Sequence, residues 1–93
     1  MKSYRVNRET VLRTLRRGCE RLKRMGEDRL VAQLMLAIRT LELTDEDAFP
    51  YFEWSDLVFT TSMFEVAMNA ELPGQVIESA RHICLVVERV TAK

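Results

Sequence analysis

Few groups in this chain could carry proton-transfer or nucleophilic chemistry. His82 is the only histidine, and Cys19 and Cys84 are the only thiols. Glu78 stands four residues before His82, so on a helix the two share a face. A general acid–base pair also needs a pocket, and spacing alone makes this an ordinary surface pair. One histidine excludes a multi-histidine metal site, and the two cysteines do not complete a four-ligand zinc centre. Cys19 has Arg16 and Lys23 about a turn away on either side, a mildly electropositive setting for a thiolate. No orienting base neighbours it in the sequence. Both cysteines are read as small core hydrophobes, reduced and quiet. Gly18, Gly26 and Gly74 are scattered and build no phosphate-cradling loop. The chain is therefore expected not to be an enzyme, with no catalytic residues, no cofactor and no metal.

A row of guanidiniums is more distinctive. Arg13, Arg17, Arg21 and Arg24 recur at helical spacing, with Arg8, Arg16 and Lys23 beside them. Such a row could lie along phosphates. No aromatic is interleaved to stack on bases. The formal net charge is zero, whereas nucleic-acid binders are usually basic overall. That zero hides a division. Residues 1–29 hold ten Lys/Arg against four Asp/Glu, a net of +6, and residues 30–93 hold four against ten, a net of −6. The row is expected to dock on an acid between positions 42 and 78, because complementary fields steer packing as readily as binding.

The elements that must position these groups read as helices. At 93 residues, 47% apolar and 30% charged, the chain is expected to form a single helical domain over 1–93. No secretory signal and no membrane span are expected, since the richest apolar run, 30–43, is short and contains Gln33 and Arg39. Two cysteines are no disulfide framework, which points to the cytoplasm. Asn7 is a favoured N-cap for a first helix that ends at Gly26. Its apolar arc is Val11, Leu12, Leu15, Cys19 and Leu22. Asp28 is expected to cap a second helix over 29–43, joined to the first as an antiparallel hairpin by a short turn. That helix carries Leu30, Leu34, Ala37, Ile38 and Leu41 on one face, and Leu36 and Leu43 on its other side. Pro50 suits the first turn of a short helix. Ser62-Met63-Phe64-Glu65 reads as a capping box, or else as a weak stretch inside one helix over 51–72. Leu57, Phe64, Met68 and Leu72 make one apolar stripe there, and Phe59, Met63, Val66 and Ala70 another on the opposite side. After Leu72-Pro73-Gly74 a last helix over 75–91 carries the seam Val76, Ala80, Ile83, Val87 and Val90, with Leu85 off it. The fold class is all-α: a compact bundle of four helices, or five if the chain breaks at Ser62.

A domain this small cannot hide helices that are apolar nearly all round. A second copy is the economical cover, since two-fold homodimers are the commonest oligomers. Leu36, Leu43, Phe59, Met63, Val66 and Leu85 are the expected dimer interface. Tyr51, Phe52 and Trp54, beside Asp45-Glu46-Asp47, have the make-up of an interaction hot spot with an acidic rim. Together with Arg13, Arg17, Arg21 and Arg24 they are the expected partner-binding residues. The function expected is that of a small non-enzymatic interaction protein, a homodimer that binds and regulates or inhibits another protein. The alternative is a helical regulator that binds nucleic acid through its basic first helix.

Overall fold

Hydrophobic periodicity and the turn residues between the periodic segments together determine where the helices lie. Helix α1 spans Arg8–Arg24, α2 Asp28–Leu43, α3 Tyr51–Asn69 and α4 Pro73–Thr91. The computed structural model describes residues 8–44 and 48–91, and among these there is no strand. The expected all-α bundle is thus a four-helix globule with a Cα radius of gyration of 12.5 Å. Asn7 and the acidic run Asp45-Glu46-Asp47 lie outside the described residues.

The chain ends α1 and α3 with the same hydrogen-bond pattern. At α1, Gly26 N–H donates to the Lys23 carbonyl and Glu27 N–H to that of Leu22, with Gly26 at φ 79°. At α3, Glu71 N–H donates to Met68 and Leu72 N–H to Ala67, with Glu71 at φ 55°. This paired closure requires a left-handed residue after the helix, which glycine adopts freely and glutamate does not. Proline explains why α3 must stop there. Pro73 occupies the first turn of α4, where its missing N–H costs nothing, and it disfavours helical backbone at Leu72.

Two boundary expectations, at Asp28 and Pro50, are corrected, and of the two alternatives at Ser62 the continuous helix is the one present. Helix α2 begins at Asp28, so Glu27 holds the cap position and Asp28 sits in the first turn, where its charge favours the helix dipole. No helix starts at Ser62: α3 runs unbroken from Tyr51, with Pro50 in the cap position. Burial of Leu57, Thr60, Thr61, Phe64, Ala67 and Met68 on one continuous face outweighs the weak propensity of Thr60-Thr61-Ser62.

The helices pack in a ring in which α1 touches α2 and α3, and α4 touches α3 and α2. Helices α2 and α3 therefore occupy opposite corners. Into the centre go Leu12, Leu15 and Leu22 from α1, Leu34 and Leu41 from α2, Leu57, Phe64 and Met68 from α3, and Val76, Ile83 and Val86 from α4. Val86, off the predicted seam, is buried because α4 has neighbours on two sides. Gly18 of α1 lies directly against the ring of Phe64 on α3.

Candidate interaction surface

Helix α3 is apolar on two opposite faces. Its inner face is core. On the outer face Phe52, Phe59, Met63 and Val66 recur at intervals of seven, four and three residues, within an arc roughly 60° wide at 100° per residue. Phe52 is 80% exposed, Phe59 66% and Val66 58%. The stripe runs about 21 Å along the helix at 1.5 Å per residue. Tyr51 extends it, its ring meeting that of Phe52 edge-on at 5.7 Å. Trp54 corrects the expected aromatic anchor. It is 3% exposed and packs edge-on against Phe49 at 5.5 Å, because its position falls on the inner arc with Leu57, Thr61 and Phe64.

A second apolar surface lies on a different part of the ring. Between α2 and α4 runs a groove of about 340 Å³ whose walls include Leu36, Cys84 and Leu85, with Gln33, Arg81 and Glu88 as polar lining. Leu36 and Leu43 are 70% and 75% exposed. The six residues expected at one dimer interface thus fall into two patches: Leu36, Leu43 and Leu85 on α2 and α4, and Phe59, Met63 and Val66 on α3. A single seam was expected because the sequence does not say which helices are neighbours.

The basic helix reaches both of its neighbours. Arg17 Nη1 lies 3.2 Å from Glu65 Oε2 on α3, and Arg16 Nη2 lies 2.5 Å from Glu42 Oε2 on α2. Arg8 donates to the carbonyls of Leu41 and Thr44 at the end of α2. Arg13, Arg21 and Arg24 have no ion pair among the described residues. Of the expected row, then, Arg17 alone docks on an acid among the described residues. Both ion pairs are about half-exposed, which holds their worth to ~0.2–1 kcal/mol. Arg17→Gln is therefore expected to lower stability by about 0.5 kcal/mol, with the loss shrinking in high salt, while Arg24→Gln is neutral. Urea titrations at two ionic strengths check this, and equal losses at both sites would refute it.

The expected Glu78–His82 pair is replaced by a contact between helices. His82 Nε2 lies 3.1 Å from Asp56 Oδ1 and 3.2 Å from Oδ2, and the Thr60 hydroxyl donates to Asp56 Oδ1 at 3.2 Å. The pair links α3 to α4. Asp56 is 26 positions from His82, so no local spacing could reveal it. Among the described residues no group of three His, Cys, Asp or Glu side chains is placed to hold a metal ion.

Both thiols are half-buried. Burial pushes Cys84 up to about 11, with Cys19 and Glu88 adding to the rise. Burial also raises Cys19, Glu20 adding to it and Lys23 opposing. Native alkylation is therefore expected to be slow at pH 8 and fast once denaturant is added. The unfolded Cys84 thiol ionises near 9.0 and the folded one near 11, so stability contributed by this group is lost as pH rises through that interval. Rapid labelling of the native protein at pH 8 would contradict this.

No protein-family model, curated protein or solved structure matches the chain. Among the described residues no helix is long and apolar enough to cross a membrane.

Proposed function

We propose that this chain is a small cytoplasmic, non-enzymatic interaction protein that pairs with a second copy and binds another protein, regulating or inhibiting it. The supporting observation is the outer face of α3. A 19-residue helix that completes the core on one side carries Phe52, Phe59, Met63 and Val66 on the other. A contiguous apolar patch rimmed by polar groups is the signature of a binding surface on a monomer-sized domain. Tyr51 and Phe52 supply aromatic anchors at one end, and Ser55, Ser62 and Asp56 supply polar edges. Helices α1 and α2 form an antiparallel hairpin in this reading, on the strength of the short Gly26 turn and the reach of Arg8 to the end of α2.

Binding of nucleic acid through α1 is the second reading, favoured by Arg13 and Arg24, which are exposed and have no ion pair among the described residues. One experiment separates the two. The tagged chain and a Phe52→Ser/Phe59→Ser variant are used to capture partners from native lysate at low and high salt. The expected result is a protein retained at high salt by the native chain and lost by the variant. Nucleic acid captured equally by both chains and released by salt would install the second reading.

A further inference from the structure

The α2–α4 face carries its own complement. Arg81 and Glu88 both line the groove, both are exposed, and neither has an ion pair among the described residues. They are seven residues apart, so they stand on one face of α4 about 10 Å from each other, with Cys84 and Leu85 midway. On α2, Leu36 lines the same groove.

From this arrangement we infer that the α2–α4 face is the seat of a second copy of the chain, docked two-fold with the α4 helices antiparallel and crossing between Cys84 and Leu85. This inference rests on the homodimer reading above and assigns its surface. In an antiparallel pair centred there, position 81 of one copy meets position 88 of the other. Two Arg81–Glu88 pairs then flank a central cluster of Leu36 and Leu85 from both copies. A two-fold interface must be self-complementary, and a cation and an anion placed symmetrically about an apolar centre meet that condition. Helix α3 carries no cation of its own, since no Lys or Arg falls between positions 39 and 81, and Arg17 of α1, which reaches it, is already paired with Glu65. The outer face of α3 stays free for the other partner.

The test uses charge reversal on the full chain. Arg81→Glu places like charges at both symmetry-related contacts, and so does Glu88→Arg. Each variant alone is expected to dimerise at least about tenfold more weakly than the native chain, with unchanged helicity because both sites are exposed. An equimolar mixture of the two variants is expected to regain native affinity, because every cross-contact is again opposite in sign. The gain should fade in high salt. Mass by light scattering and sedimentation reads all of this. A native dimer indifferent to both reversals overturns this face while leaving the homodimer in place. A native chain that stays single at every concentration overturns the homodimer reading itself.

Discussion

Gly18→Ala is expected to lower the stability of this protein by about 2 kcal/mol, even though alanine is the better helix former by about 1 kcal/mol. A β-carbon at position 18 would stand inside the van der Waals envelope of Phe64 Cε2 and Cζ. Phe64 is fully buried and has no room to withdraw its ring. Overpacking of this severity costs about 3 kcal/mol, which exceeds the gain in propensity. The residue pair gives a sharper test than the single variant. Phe64→Leu alone leaves a void and costs about 1–2 kcal/mol. Combined with Gly18→Ala, the shorter side chain vacates the space that the new methyl needs. The double variant should therefore be more stable than the sum of the singles by about 1 kcal/mol or more. Chemical denaturation of the four proteins measures the coupling. A neutral or stabilising Gly18→Ala would mean that α1 and α3 do not approach each other here.

Truncating the outer face of α3 has the opposite signature. The Phe52→Ser/Phe59→Ser variant keeps the stability of the folded chain within ~0.5 kcal/mol per site, because both rings face solvent. Its affinity for a protein captured by the native chain is expected to fall by about 30-fold or more, the loss that follows when an aromatic anchor worth ~2 kcal/mol is removed. Phe64→Ser is the control on the same helix. It removes a ring from the core and should cost about 3–5 kcal/mol of stability. Thermal melts and capture assays on the three variants distinguish the faces. A severe loss of stability in the Phe52/Phe59 variant would show that those rings are core, and undiminished capture would remove the stripe from the interface.

The legible parts of this molecule are the local ones. Gly26 announced the end of α1, because the paired closure needs positive φ, which glycine adopts most readily. The two stripes of α3 were visible as two sets of residues on opposite sides, and the inner one became core as far as Met68. Leu72 falls beyond the helix end and is exposed. The end of α3 itself was readable from Pro73 but not from Glu71, which occupies a position usually reserved for glycine. Trp54 was grouped with Tyr51 and Phe52 on composition, which does not say which aromatics of the tract face inward. One helix from Tyr51 turns Trp54 inward. Non-local pairs left no trace in the sequence. Asp56–His82 and Arg17–Glu65 depend on which helices are neighbours in the ring, and the same ignorance merged two apolar patches into one expected seam. The charge division did foretell that α1 would engage acids from the rest of the chain, as Arg16 and Arg17 do.

On the function proposed above, the apolar surface left outside the four-helix core serves association, first of all with a second copy. The most direct measurement is the mass of the purified native chain by light scattering at micromolar concentration. About twice the single-chain mass of 10.9 kDa is expected, as a two-fold pair requires. A mass that stays at 10.9 kDa across the concentration series would contradict it.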